Sequence, residues 1–172
     1  VRDRKQYEIS LDALMSPDLR TSIISAFKFI EPLDTSHWQT YRNDEYGYEI
    51  QYPDDWKLTE PDDFIHIAAG RWRDMPEGGG SVIIRIRDIS LQEFVDEYNA
   101  SDVIDGYQLS NIKKQQQIIV DNAPAYKLTA DMAIGLESTF VFIPYNELAY
   151  IIEYADYDNE LKNIVSTFKF TP

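Results

Sequence analysis

Cysteine is absent from the 172-residue sequence. That removes disulfides, thiolate metal sites, iron–sulfur clusters and a cysteine nucleophile together. Histidine is nearly absent, with only His37 and His66, so a multi-histidine zinc site is excluded. Cations are scarce: 16 Lys and Arg face 30 Asp and Glu, for a net charge of −14. Phosphate backbones and anionic lipid surfaces are bound by clustered cations, so this balance argues against nucleic-acid binding. No apolar run is long enough to span a bilayer. The charged opening "VRDRKQ" is not an export leader, and no cofactor-binding word is present. "EGGG" is followed by a strand pattern and not by G-K-S/T and a helix, so it reads as a hairpin loop. No G-x-S-x-G or H-E-x-x-H occurs, which leaves no catalytic residue to name and points away from an enzyme.

What is present suits a folded domain. The hydrophobic fraction is 44% and the aromatic fraction 13%, with twelve tyrosines and three tryptophans, a strand-leaning composition able to build a core. Residues 6–12, "QYEISLD", alternate as a half-buried strand does. Ser16-Pro17-Asp18 offers an N-cap, a proline for the first turn and an acid for the helix dipole. Leu19, Ile23, Ile24 and Phe27 follow at helical spacing. Pro32 then marks a linker.

From Trp38 two strands are expected around the turn "NDEYG", followed by strands at "FIHIAAG" and "SVIIRIRDI". In the latter, Arg85 and Arg87 share one face and Ile84 and Ile86 the other. Ser90 and Glu93 form a capping box ahead of Leu91, Phe94, Val95 and Tyr98, one apolar helix face. Four strands near 107–120, 123–131, 136–144 and 147–155 are joined by short turns, which requires an antiparallel meander. Asp158 is expected to cap a last helix with Leu161, Ile164, Val165 and Phe168 inward, and "FKF" to close as a short strand.

"IISAFKF" at 23–29 and "IVSTFKF" at 164–170 agree at five of seven positions without a gap. Each follows a strand and a capped helix, and each precedes a proline. The shared unit predicts a tandem duplication. Residues 1–32 are then the strand–helix–strand tail of a preceding repeat plus linker, and 33–172 a complete domain. An orphaned amphipathic tail needs cover, so residues 1–30 are expected to pack on the following domain or to self-associate with a neighbouring chain.

"WQTYRNDEYGYEIQYPDDWKL", "SVIIRIRDISLQEFVDEY", "IIVDNAPAYKLTA" and "ELKNIVSTFKF" resemble, in that order, the PsbP-like domains, including the bacterial lipoprotein-type members. The likeness covers about 38–172. It implies an α+β fold of the Mog1/PsbP type, an α-β-α sandwich with a central antiparallel sheet. It also implies an exported or membrane-anchored, extracytoplasmic setting and a non-catalytic binding or assembly role. It carries no functional residue onto this chain.

"DYDNE" at 156–160 lacks the glycine and terminal glutamate of a calcium loop, so no metal site is read there. "GRWRDMP" is the surface stretch to single out. Arg71, Trp72 and Arg73 combine residue types enriched in binding hot spots and place cations in an acidic chain, making them candidate partner-binding residues for a protein ligand. A packing role, with Trp72 on a sheet edge and the arginines paired to nearby acids, competes with that reading. The alternatives to a binding module are a small-ligand or metal-binding accessory domain, or a hydrolase whose carboxylates converge only on folding.

Overall fold

The computed structural model describes residues 15–26, 33–61, 63–69, 80–100, 109–132, 137–155 and 159–172. The chain divides into two compact units, Val1–Leu33 and Asp34–Pro172. In the first, helix α1 spans Pro17–Ala26. Ser16 caps it as its sequence requires, its Oγ accepting the Leu19 amide at 3.3 Å. The strand expected at 6–12 and the segment 27–29 lie outside the described residues.

The second unit opens with β1 (Trp38–Asn43) and β2 (Tyr48–Pro53). They pair antiparallel around the predicted turn, where Asn43 Oδ1 accepts the Tyr46 amide at 2.9 Å. Gly47 takes a φ of +64°, the left-handed region a glycine enters without strain. A short strand β3 (Trp56–Thr59) follows. Its sequence alone does not mark it as a strand, because four residues carry only two alternating apolar positions, Trp56 and Leu58. Then come β4 (Ile65–Ala69), β5 (Ser81–Arg87) and helix α2 (Leu91–Ala100). The capping box is formed: Glu93 Oε2 accepts from the Ser90 amide at 2.8 Å, and Ser90 Oγ from the Glu93 amide at 3.2 Å.

The predicted meander is β6 (Leu109–Val120), β7 (Ala123–Met132), β8 (Glu137–Tyr145) and β9 (Leu148–Tyr154). Asp121-Asn122 and Asn146-Glu147 have consecutive positive φ values of 45°, 66°, 49° and 67°, the signature of two-residue hairpin turns that match strand twist. Pro144 and Tyr145 both belong to β8. Helix α3 (Asn159–Ser166) buries Leu161, Ile164 and Val165, and β10 (Lys169–Phe170) ends the chain. Asp158, the expected cap, lies outside the described residues.

All pairing is antiparallel. The large sheet has seven strands in the order β3-β4-β5-β9-β8-β7-β6, and a small sheet has the order β1-β2-β10. The large sheet is covered on both faces. On one face α3 and the small sheet enclose a core of Ile50, Ile67, Val82, Ile84, Val141, Ile143, Ile152 and Ile164, all 2% exposed or less. On the other, Phe94 and Tyr98 of α2 pack on Leu128, Phe140, Phe142 and Ile151. This α+β arrangement is the sandwich expected from the sequence. Among the described residues no helix is long and apolar enough to cross a membrane.

Candidate functional site

Arg71, Trp72 and Arg73 fall in the 70–79 segment and lie outside the described residues. Of the two histidines, His66 lies on β4. It is half-buried there, and burial first, then the charge of Arg85, push its pKa below the usual histidine value. Arg85 itself donates to Glu153 at 2.9 Å and stands 5.3 Å over the Phe64 ring. These groups knit β4, β5 and β9 together, which gives His66 a packing environment. Arg87 and Glu97 make a second pair at 2.8 Å, more exposed, that ties β5 to α2. No group of three or more His, Asp and Glu is positioned to hold a metal ion among the described residues.

The structure instead brings forward the β6–β7 hairpin, which composition alone did not single out. One row of directly opposed residues runs across all seven strands: Leu58, Ile67, Val82, Tyr154, Thr139, Thr129 and Lys114. It begins in the core and turns polar over β8, β7 and β6. The neighbouring row runs Ile65, Ile84, Ile152, Val141, Lys127 and Gln116. On this side of the sheet the residue type therefore turns from apolar to polar over β8 and β7, although Thr139 and Thr129 themselves stay buried.

At that polar end lies a cavity of about 250 Å³ lined by Lys113, Lys114, Gln116, Lys127, Thr129 and Glu137. Successive residues of a regular strand point to opposite faces, so Lys113 and Lys114 should not share a wall. They do because β6 is irregular between Ile112 and Lys114, where two steps on β6 match one step on β7. Such a bulge re-aims side chains. It is anchored by α2, since Asn99 Oδ1 accepts the Ile112 amide at 3.1 Å. Thr139, across the ladder from the lining residue Thr129, is fully buried, and its hydroxyl has no hydrogen-bond partner among the described residues.

The second feature of the hairpin is its outer edge. Strand β6 is terminal in the seven-stranded sheet, and Ile119 on it is 69% exposed.

No protein-family model matches the sequence, and no curated protein sequence matches it. Among solved structures, the cyanobacterial PsbP (CyanoP) of Synechocystis sp. PCC 6803 superposes with a TM-score of 0.57 at 14% identity, over 83% of this chain and 98% of that one. The fold is PsbP-like. A protein of unknown function from Pseudomonas aeruginosa also matches, at a TM-score of 0.41 and 19% identity over 79% of this chain and 99% of that one. That second likeness is too distant to bear on the PsbP-like assignment. At this identity the first establishes architecture, and the same fold can carry unrelated functions.

Proposed function

We propose that the chain is a non-catalytic binding or assembly module of an exported or surface-attached multidomain bacterial protein. In this reading residues 1–32 are the tail of a preceding repeat and 33–172 a complete PsbP-like domain. The observation that carries the binding role is the edge of β6. A strand of 12 residues offers roughly 40 Å of edge at 3.3 Å per residue. About half of its amides and carbonyls face away from β7. No backbone group of a described residue pairs with that outer side; the one side-chain bond to the β6 main chain among the described residues is that of Asn99 to the Ile112 amide.

Exposed edges are usually guarded by charge. Here Lys113 and Lys114 guard the first half, whereas Gln115–Val120 carries no charge and ends in Ile118, Ile119 and Val120. That half is suited to accept an extended segment of a protein partner by strand addition, in which main-chain bonds give affinity and side-chain pockets give selectivity. Arg71, Trp72 and Arg73 are proposed as a second contact with the same partner.

The test places a photo-crosslinking residue at 119 in the intact parent protein inside its source cells. The recovered protein partner is then titrated against the purified chain and its Ile119→Asp and Trp72→Ala variants. The reading expects an adduct and clearly weaker binding by Ile119→Asp. Absence of an adduct at 119, or full-strength binding by that variant, removes the β6 edge as the docking surface. Full-strength binding by Trp72→Ala removes the loop.

A further inference from the structure

We propose that the strand completing the β6 edge is the β6 of a second copy of this chain, paired antiparallel about a two-fold axis at Gln117. The inference rests on the strand-addition reading of that edge and names its partner. It starts from which main-chain groups of β6 are directed outward. Asp121 and Asn122 form a two-residue turn of positive φ, and Val120 and Ala123 flank it as a direct pair. In such a hairpin the flanking residues exchange both main-chain bonds. Alternation then assigns Val120, Ile118, Gln116 and Lys114 to β7 and directs the amides and carbonyls of Ile119, Gln117 and Gln115 outward. All three of these residues are exposed. Beyond the bulge the alternation inverts, and there Asn99 Oδ1 accepts the Ile112 amide at 3.1 Å. Helix α2 thus closes one end of the open edge and the turn closes the other.

One antiparallel register pairs all three outward residues of both copies. Gln117 meets Gln117 of the second copy, and Gln115 meets Ile119 on either side, giving three pairs of two main-chain bonds each. A shift of two residues in either direction pairs only two of the three. The side chains suit the same register. A glutamine amide both donates and accepts, so the two copies of Gln117 satisfy each other across the axis. Ile119, 69% exposed, comes against the methylenes of the opposing Gln115. Lys114 stands opposite Val120 and Lys113 opposite Asp121, so no like charges meet. Lys113 has an interaction within its own chain; the register is selected by main-chain pairing and by the absence of like-charge contact, not by a new ion pair. Residues 109–120 hold two lysines and no carboxylate in a chain of net charge −14, which makes this edge a place where two acidic copies can approach.

Residues 113–121 span about 30 Å, and a sheet about 10 Å deep then buries roughly 300 Å² per copy. That is well below the roughly 800 Å² per partner of a stable complex. The dimer is therefore weak and concentration-dependent, and tethering of copies to one surface favours it.

Sedimentation equilibrium of the 172-residue chain up to about 1 mM should show a reversible dimer. Gln117→Lys and Gln117→Glu each set a charge against itself, so both should weaken the dimer by at least about tenfold, or about 1.4 kcal/mol. A partner of different sequence would respond in opposite directions to the two signs. The chain has no cysteine, so single cysteines report the register. Paired Cα atoms about 5.5 Å apart lie within disulfide reach. Gln117→Cys should therefore oxidise to a linked dimer, whereas Gln115→Cys, about 13 Å from its own counterpart along the strand, should not. Circular dichroism of each variant confirms that the fold is intact. The proposal is overturned if the chain stays monomeric throughout, if both charged variants dimerise as the wild type does, or if Gln115→Cys links as readily as Gln117→Cys. A monomeric chain whose crosslink at 119 returns a different protein defeats self-pairing and leaves the docking edge standing; absence of any adduct at 119 removes the docking edge and self-pairing with it.

Discussion

Thr167→Ala tests how the end of α3 is joined to the small sheet. Strand β10 pairs with β2 through Phe170 opposite Tyr48 and Lys169 opposite Glu49. Continuing that register one further pair of steps places residue 167 opposite Gln51, yet there the backbone has already turned into the helix end. The Thr167 hydroxyl takes over the missing rung. Its Oγ1 accepts the Gln51 amide at 2.8 Å and lies 3.2 Å from the Gln51 carbonyl and 2.7 Å from that of Ile164. Alanine leaves the Gln51 amide without that acceptor. An unsatisfied buried donor costs about 1–3 kcal/mol; Gln51 is half-buried and water can reach it in part, which selects the lower half of that range. Loss of the γ-methyl adds up to about 0.8 kcal/mol. The expected destabilisation is about 2 kcal/mol, or a Tm lower by about 4–8 °C for a chain of this size. Thermal melts by circular dichroism, with urea unfolding as a second measure, read it directly. Thr167→Val keeps the shape without the hydroxyl and should fall with alanine, whereas Thr167→Ser should stay close to wild type. If alanine and valine both melt within about 1 °C of wild type, the side-chain rung contributes nothing and the reasoning fails. The position has added interest because "IISAFKF" carries Ala26 where "IVSTFKF" carries Thr167.

Two further predictions concern pH. Hydrogen bonds from the Ser90 hydroxyl and amide lower the Glu93 pKa, so the box stabilises α2 above the unfolded carboxylate pKa and is lost as pH falls through the folded value. The Tm gap between wild type and Ser90→Ala should therefore shrink on acidification, and a gap independent of pH in the acid range would contradict it. Burial and Arg85 lower the His66 pKa, so the unfolded chain takes up its proton first as pH drops. Stability then rises with pH between the folded and unfolded values and is level above the unfolded one, near 6.5. His66→Gln should remove that contribution; urea unfolding across this window is the measurement, and an unchanged slope would show that His66 does not titrate differently in the two states.

Much of this architecture was legible because burial and local spacing coincide. In β5 the alternation of Val82, Ile84 and Ile86 with Ile83, Arg85 and Arg87 states which side meets the α3 face, and the paired residues of β9 agree. The capping box at Ser90 and Glu93, and the inward set Leu161, Ile164, Val165 and Phe168, are encoded within single turns. Strand β3 was not legible because its identity rests on pairing with β4 and not on its own four residues. The pairing of β10 with β2 is similarly hidden, since two residues at the end of the chain join a strand near the start of the domain.

The lysine cavity could not be read for a stronger reason. "NIKKQQQIIV" looks like a polar strand guarded by charge, and nothing in it marks a bulge: no glycine occurs, and Lys113 and Lys114 should alternate. The irregularity exists only in relation to β7, and it matters only because Lys127 and Thr129 stand opposite. The seven-residue row across the sheet shows how such a site becomes available. Leu58, Ile67 and Val82 are dictated by the core enclosed under α3 and the small sheet, and a charge at any of them would be buried without a partner. That core extends to Ala123 and Ala125 on β7 and includes neither Lys127 nor Thr129. Thr139 and Thr129 are still buried, and only at Lys114 and Gln116 on β6 does the row reach exposed positions where packing no longer restricts residue type. In a domain whose overall charge favours acids, these lysines are brought to one space by strand pairing and by an irregularity, and not by any pattern within their own strand.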